Sequence, residues 1–491
     1  MNKKPIAIIS ATVIAAVAAF GSAACSAKPK EELTVYGIEA ALSSDYTLTA
    51  SVTCDYVNNT EVPQDELWFH LYPNAFREGA KFSPVPSDRI TAAYPDGRSY
   101  STLDITSVSV NGTDVDISVT GSDENILAVD LGGKLEPLDR TVVKIDYSVK
   151  IPKVRHRFGY NDNSVNLANF YPIACVYRDG AFVADPYYST GDPFFSEVAD
   201  YNVKLTAPKE LTGAFTGSVK STETNEETVT YSVEAKSVRD FAAVLGKYEK
   251  MSGRAGDVVV NYYYHHDSQP ERALNTAILA VKTFGGLFGT YAYPEYNVVQ
   301  TAFLQGGMEY PALSMISDAY SGDAYDDVIV HETAHQWWYS AVGNDQVKYP
   351  WLDEGLAEYT TMMFYENNAN AGYKYTFNGK RADALSAYTL FCETFKSSGD
   401  DDTSMTRASY EYGSELEYSY MSYVKGALML DDVRNSIGSE AFLNGLKKYY
   451  SDNMHGVAEP QDLIGAMEKS SRRELAALFD CWLDGNVKLY A

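Results

Sequence analysis

The chain has 491 residues, of which 45% are hydrophobic and 22% are charged, a composition typical of a folded protein with more than one domain. Its formal net charge of −26 argues against a nucleic-acid-binding protein, because such proteins present a basic surface. An acidic balance of this size favours solubility, and it favours cationic ligands over anionic ones.

The first residues, MNKKPIAIISATVIAAVAAFGSAAC, are typical of a signal peptide over residues 1–24. Two lysines precede an apolar stretch that is short for a membrane span, and small residues then lead to Cys25. The ending GSAAC resembles a bacterial lipobox, although Ser22 stands where leucine is usual. We therefore expect an exported protein, held at the bacterial cell surface or membrane by a lipid on Cys25. Ordinary cleavage after Ala24, which would give a secreted protein, is the alternative.

Residues 25–247 are predicted to form an N-terminal β domain. Short stretches in which apolar and polar residues alternate recur along it, among them TLTASVTCDYV, RTVVKIDYSVKIP and TVTYSVEA. Clusters of Gly, Pro, Asn and Asp separate these stretches. This pattern predicts an antiparallel β saddle or sandwich.

The pattern changes at about residue 248. DVVVNYYYHH and NVVQTAFL are predicted strands, and between them ERALNTAILAVKTFGGLFGTY has apolar residues at helical spacing. Further helices are predicted around 324–341, 352–367, 417–436, 439–452, 459–469 and 472–484. Residues 248–491 are therefore predicted to form a mainly helical domain with a small sheet, and the fold class is multidomain β plus α/β.

The stretch HETAHQWW, residues 331–338, carries the chemistry. Residues four apart on a helix share one face, so His331 and His335 can offer two nitrogens to one metal ion. Zinc accepts such ligands, and Glu332 can take a proton from a water molecule at the site. A helix that carries these residues by chance is the alternative at this point.

A catalytic zinc needs three protein ligands and one open position. The stretch WLDEGLAEY, residues 351–359, begins another predicted helix, and its Glu354 follows His335 after eighteen intervening residues. Asp353, next to it, could orient a zinc ligand or cap the helix, and we expect the capping role.

HETAHQWW followed by WLDEGLAEY resembles the aminopeptidase N family of zinc metallopeptidases, which are gluzincins with the pattern HExxH-x18-E. The resemblance implies a thermolysin-like catalytic domain over residues 248–491. It also implies one Zn2+ per chain, held by His331, His335 and Glu354, with Glu332 as the catalytic proton acceptor. In the β domain, ELWFHLYPNAF resembles the N-terminal saddle domain of the same family.

Two further segments resemble motifs of this family. GGMEYP, residues 306–311, is similar to GxMEN, which implies that Glu309 binds the free α-amino group of a peptide substrate. Gly306, Gly307 and Met308 belong to the same substrate-binding segment. YVKGA, residues 423–427, is similar to YxKG, which implies that Tyr423 donates a hydrogen bond to the developing oxyanion. The expected activity is zinc-dependent release of N-terminal residues from peptides.

Three departures leave other functions open. Tyr310 replaces the asparagine of GxMEN, and no second amine anchor is recognisable around ANFYPIACVYRDG. The chain also ends soon after the YxKG-like segment, as in a short bacterial form without the C-terminal helical domain. An open-cleft zinc endopeptidase is therefore one alternative, and a non-catalytic peptide-binding lipoprotein on the same fold is another. The sequence does not predict an oligomeric state.

Overall fold

The computed structural model describes residues 32–398 and 402–490, and for residues 397 and 398 it describes the backbone alone. The predicted signal peptide 1–24 and Cys25 lie outside the described residues. In the part of the chain that is described, no helix combines the length and the apolar character needed to cross a membrane.

The first half folds into strands because its alternating residues place apolar side chains on one face. In β2, for example, every second residue from Leu48 to Cys54 is buried. The strands of this half are β1 (Thr34–Leu42), β2 (Thr47–Val57), β3 (Gln64–His70), β4 (Thr102–Val110), β5 (Thr113–Asp114), β6 (Ser118–Thr120), β7 (Ile126–Leu135), β8 (Arg140–Lys150), β9 (Phe158–Tyr160), β10 (Ser164–Ala168), β11 (Ile173–Ala174), β12 (Tyr177–Arg178), β13 (Ala181–Phe182), β14 (Ala199–Pro208), β15 (Thr212–Phe215), β16 (Ser218–Thr224), β17 (Thr228–Val238) and β18 (Ala242–Gly246). A short helix, α1 (Ile90–Ala93), and a 3-10 turn (Tyr72–Phe76) interrupt them.

The largest sheet has eight strands in the order β16-β17-β14-β1-β2-β8-β4-β5. Its neighbouring strands are antiparallel, except that β1 and β14 run parallel. Two four-stranded sheets follow the orders β15-β18-β10-β9 and β11-β3-β7-β6, and β12 pairs with β13. The predicted β-rich first half is thus confirmed, with one parallel pair within a largely antiparallel sheet.

The second half combines a five-stranded sheet with helices. The sheet has the order β19-β20-β21-β23-β22, and its strands are β19 (Glu249–Ala255), β20 (Val258–Tyr264), β21 (Glu295–Thr301), β22 (Gly307–Met308) and β23 (Leu313–Ser317). The helices are α2 (Pro270–Phe288), α3 (Gly322–Ala334), α4 (Pro350–Asn367), α5 (Phe377–Ser398), α6 (Glu415–Ser419), α7 (Gly426–Ile437), α8 (Ser439–Asn453), α9 (Pro460–Ser471) and α10 (Ala476–Leu483). The predicted fold class is therefore confirmed.

Some predicted helices differ from the observed ones. The helix predicted at 324–341 ends at Ala334, and Tyr339, with φ of 131°, has left the helical region of the backbone. The helix predicted at 417–436 consists of α6, a π-helical segment (Tyr420–Lys425) and α7. The sequence did not predict α5, because it buries only a narrow stripe of side chains between Ala384 and Cys392.

The hydrophobic core runs without a break from the β-rich half into the helical half. The buried Arg239, which follows β17, links the two halves. Its guanidinium donates hydrogen bonds to the carbonyl oxygens of Tyr339 and Gly456 in the helical half. The domain boundary predicted between residues 247 and 248 falls just before β19, and it stays a prediction.

Candidate active site

Helices α3 and α4 bring the three predicted zinc ligands together. His331 lies in the last turn of α3 and His335 at its C-terminal cap, while Glu354 lies near the start of α4. The Nε2 atoms of the two histidines are 3.1 Å apart. Glu354 Oε2 lies 3.3 Å from Nε2 of His331 and 3.2 Å from Nε2 of His335. Three potential ligand atoms therefore surround one point.

These separations fit one zinc ion. Zinc binds nitrogen and oxygen ligands at about 2.0–2.2 Å, so two ligand atoms at a tetrahedral angle lie about 3.3 Å apart. Two histidines and one carboxylate form a donor set that zinc accepts in catalytic sites, where the fourth position stays open. The described residues therefore fit the Zn2+ cofactor that the motif implies.

The Nδ1 atoms of both histidines face other partners. Nδ1 of His335 lies 2.7 Å from Asp353 Oδ1 and 3.1 Å from the carbonyl oxygen of Trp338. Nδ1 of His331 lies 3.4 Å from Glu358 Oε2. Because all three partners are oxygen atoms that accept hydrogen bonds, protons on the two Nδ1 atoms leave both Nε2 atoms free to bind a metal.

The prediction that Asp353 caps the helix was wrong. Asp353 is buried and lies inside the first turn of α4, and its carboxylate contacts His335 rather than capping the helix. The helix begins instead at Pro350, whose fixed φ suits a first turn and which has no N–H to satisfy. Asp353 therefore orients His335, a potential zinc ligand.

The predicted proton acceptor, Glu332, lines the same cavity and is 5% exposed. Burial raises the pKa of its carboxyl to about 7, although the nearby His331 and His335 lower it. Its side chain packs directly on the backbone of Gly307. A Cβ atom on Gly307 would lie 2.4 Å from Glu332 Oε1, so the glycine makes room for the carboxylate.

We expect Gly307→Ala to lower kcat by about a hundredfold, because displacing a catalytic carboxylate by roughly 1 Å costs that much. A Cβ atom on the neighbouring Gly306 would lie 3.5 Å from Val328 Cγ2, an ordinary contact, so Gly306→Ala is the matched control with a smaller loss. Steady-state kinetics with zinc analysis would check both variants. Equal losses in the two variants would show that Gly307 does not act by placing Glu332.

Glu309 follows β22, lines the cavity and is 4% exposed. Its Oε1 accepts a hydrogen bond of 3.1 Å from Gln346 Nε2, and the same amide nitrogen donates to Asp353 Oδ2 at 2.6 Å. One side-chain amide thus connects Glu309 to the residue that orients His335. Burial raises the pKa of Glu309 well above its usual value, although His335 lowers it. A bound ammonium group would favour the ionised carboxylate.

The neighbours of Glu309 point away from the cavity. Tyr310 is fully buried, and its hydroxyl donates a hydrogen bond of 3.0 Å to Asn169 Oδ1 in the β-rich half. Met308 is buried as well, and its Sδ accepts a hydrogen bond from Arg157 Nε. Gly306 and Gly307 line the cavity. Met308, which was predicted to bind substrate with them, is not among the residues that line it.

Tyr423 lies beside Glu354, a potential zinc ligand. Its hydroxyl donates a hydrogen bond of 2.5 Å to Glu354 Oε1, and its ring stacks on the His331 imidazole with centroids 5.7 Å apart. The residue is carried by the π-helical segment (Tyr420–Lys425), a distortion frequent at functional sites. Buried Lys425 fixes the end of this segment by donating to the carbonyl oxygen of Trp482 at 2.7 Å.

Two glycines in contact let Tyr423 approach Glu354. Gly355 of WLDEG and Gly426 of YVKGA lie against each other where α4 meets α7. A Cβ atom on Gly426 would lie 2.9 Å from Gly355 Cα, and one on Gly355 would lie 3.1 Å from Gly426 Cα. Each of the two motifs therefore supplies one predicted site residue, Glu354 or Tyr423, and one glycine at the contact between α4 and α7.

The cavity has a volume of about 310 Å³, and both halves of the chain line it. Its acidic lining residues are Asp192, Glu309, Asp327, Glu332, Glu354, Glu358 and Glu415. Arg157, from the β-rich half, forms a buried ion pair with Asp192. Burial raises the pKa of Asp192 to about 6, although Arg157 lowers it. The sequence did not identify Arg157 and Asp192 as site residues, because they lie far from the motifs. The turn-like stretch STGDP around Asp192 is only a weak indication of a site residue there.

Comparisons with known proteins agree with this geometry. Residues 272–482 match a family described as the peptidase family M1 domain. The chain is 24% identical over 331 residues to tricorn protease-interacting factor F2 of Thermoplasma volcanium, covering 62% of this chain and 41% of that protein. It is 24% identical over 309 residues to aminopeptidase N of Lactococcus lactis, covering 60% of this chain and 34% of that protein. The chain thus spans about two-fifths or less of the length of these relatives.

A solved structure covers nearly the whole chain. The crystal structure of the M1 zinc metallopeptidase from Deinococcus radiodurans superimposes with a TM-score of 0.65 at 17% identity, covering 93% of this chain and 94% of that chain. A mutant of that protein, bound to a Tyr-Ser-Ala substrate, matches with a TM-score of 0.64 at 16% identity, with the same coverage. At these identities the likeness shows a shared fold. The shared fold and the match of residues 272–482 to the peptidase family M1 domain agree with the three potential zinc ligands that the structure brings together.

Proposed function

We propose that the protein is a zinc-dependent aminopeptidase that releases N-terminal residues from peptides. One observation supports this function above all. The three potential zinc ligands, the carboxylate of Glu332 and the carboxylate of Glu309 line one cavity. Hydrolysis and recognition of a free amino group can therefore occur on the same peptide.

The chain's own groups divide the reaction between them. Zinc held by His331, His335 and Glu354 would supply a Lewis acid that makes water nucleophilic near neutral pH. Glu332 accepts the proton of the attacking water and passes it to the leaving amine. The hydroxyl of Tyr423 donates a hydrogen bond to the carbonyl oxygen as negative charge develops there.

Glu309 would determine which bond is cut. A substrate ammonium bound to its carboxylate places the first peptide bond at the zinc site, because the two sites lie in one small cavity. Gln346 holds one carboxylate oxygen of Glu309 and leaves the other for the substrate. Tyr310, the departure that favoured an endopeptidase, points into the β-rich half and leaves the cavity unobstructed.

Glu309→Ala tests this function. Removing one partner of a buried charge pair costs roughly 2–5 kcal/mol, so we expect kcat/KM on free peptides to fall by about a hundredfold or more. Hydrolysis of N-acetylated peptides should change little. The two substrate classes are compared by kinetics on otherwise identical peptides.

The control is Glu66→Ala, which removes an exposed carboxylate from β3 and should leave both rates as they are. An equal loss on free and acetylated peptides in Glu309→Ala would rule out amine recognition by Glu309. It would then favour the endopeptidase alternative.

We also propose that the protein is exported and anchored through a lipid on Cys25. The support is the leader sequence MNKKPIAIISATVIAAVAAFGSAAC, whose basic start, apolar stretch and small residues are typical of a signal peptide. Mass spectrometry of the mature N-terminus, produced in a bacterial host, tests this proposal. A lipid-modified Cys25 is expected, and an unmodified cysteine at the mature N-terminus would contradict the anchor.

A further inference from the structure

A second cavity, of about 530 Å³, adjoins the active site. We refer to it as the adjoining cavity, and the residues that matter in its lining are Lys81, Phe82, Arg98, Tyr188, Ser189 and Tyr410. Most of them come from the β-rich half, and Tyr410 comes from the 3-10 turn (Ser409–Glu411) before α6. None of them belongs to a zinc-peptidase motif of the sequence.

Two chain segments pass from one cavity to the other. Residues 187–190 line the adjoining cavity, residues 191–192 line the active site, and Ser189 lines both. In the helical half, Tyr410 lines the adjoining cavity, while Glu415 lines the active site. The two cavities are therefore neighbours that share Ser189 in their walls.

The charged residues that line the two cavities have opposite sign. The active-site cavity is lined by seven carboxylates, and its arginine is already paired with Asp192. Among the described residues, the charged side chains that line the adjoining cavity are Lys81 and Arg98, with no carboxylate. In a chain with a net charge of −26, a basic patch next to an acidic site complements a ligand with a positive and a negative end.

The adjoining cavity also has an aromatic wall. The rings of Tyr188 and Tyr410 stack with centroids 4.4 Å apart, and Phe82 meets Tyr188 edge-on at 5.6 Å. The ammonium of Lys81 lies 5.0 Å from the centre of the Phe82 ring. Such surfaces bind extended peptide chains through apolar contacts, while a few polar groups fix the orientation.

We propose that the adjoining cavity binds the C-terminal part of a peptide whose N-terminal residue occupies the active site, with a substrate carboxylate near Lys81 and Arg98. This inference rests on the proposed aminopeptidase function and extends it to a substrate class. The favoured substrates are short peptides with a free amino group at one end and a carboxylate downstream. The carboxylate is either the C-terminus or an acidic side chain.

The test uses the double variant Lys81→Ala/Arg98→Ala and peptides from dipeptide to hexapeptide with one common N-terminal residue. Each peptide is made as a C-terminal acid and as an amide, and some amides carry an internal aspartate to separate the two sources of carboxylate. We expect the wild-type protein to prefer the acids in kcat/KM by roughly fivefold once the peptide is long enough, the size of two exposed ion pairs. The preference should disappear in the double variant.

Lys220→Ala/Arg254→Ala removes the same charge from exposed positions on β16 and β19 and should keep the preference. A single-residue aminoacyl reporter does not extend into the adjoining cavity, so the double variant should hydrolyse it at the wild-type rate. Failure to hydrolyse this reporter in the wild type would refute the aminopeptidase function itself. Normal hydrolysis without a preference for acids, or with one that survives the double variant, would overturn the inference alone.

Discussion

Glu332→Gln is expected to lower kcat by about 10²–10⁴-fold while the bound zinc is retained. A positioned proton acceptor contributes an acceleration of this size, and an amide cannot take the proton from water. The substitution keeps the shape of the side chain that packs on Gly307, and Glu332 is not among the three zinc ligands. Single-turnover kinetics and metal analysis of the same preparation would measure the two effects.

A comparison with His335→Ala makes this result specific. Loss of that ligand should reduce both zinc content and activity, since His335 supplies one of three potential ligand atoms. Glu332→Gln should reduce activity alone. If Glu332→Gln kept kcat within tenfold of the wild type, another group would have to accept the proton.

Tyr423→Phe is expected to lower kcat by about 10²–10³-fold with a small change in KM. Removing one hydrogen-bond donor to a developing oxyanion costs this much in other hydrolytic sites, and the interaction is made mainly in the transition state. The phenylalanine ring can still stack on His331, so the site should keep its packing. Steady-state kinetics on a free tripeptide would measure the effect.

Tyr418 provides the matched control, because it lines the same cavity and its ring lies 6.1 Å from that of Tyr423. Tyr418→Phe should lower kcat by less than about tenfold, since no oxyanion contact is assigned to it. Zinc affinity has to be measured for both variants, because Tyr423 also donates to Glu354. A loss in Tyr423→Phe that followed zinc occupancy would argue against oxyanion stabilisation.

The approach of His331 to His335 was predictable because its geometry is local. His331 and His335 are one helical turn apart, so any helix there brings them together. Glu354 reaches the histidines only because a second helix packs against the first. This packing was predicted from the spacing between HETAHQWW and WLDEG, which resembles the family pattern. Both motif glycines, Gly355 and Gly426, were visible in the sequence, but their contact appears only when α4 and α7 are packed.

The rest of the cavity depends on contacts between distant parts of the chain. Arg157 and Asp192 reach it from the β-rich half, and the sequence around them gives at most a weak indication of such a role. Gln346 lies in an irregular segment between α3 and α4, so periodicity does not place its amide between Glu309 and Asp353. Asp353 was assigned a common local role, helix capping, and tertiary packing gave it another.

The most direct test of the account is the digestion of one tripeptide in two forms, with a free and with an acetylated N-terminus, by the zinc-loaded wild-type protein. Mass spectrometry would follow the products over time. The account predicts release of the N-terminal residue from the free form, little cleavage of the acetylated form, and loss of activity with a chelator that added zinc reverses. Cleavage of both forms at similar rates, or activity that persists without zinc, would contradict it.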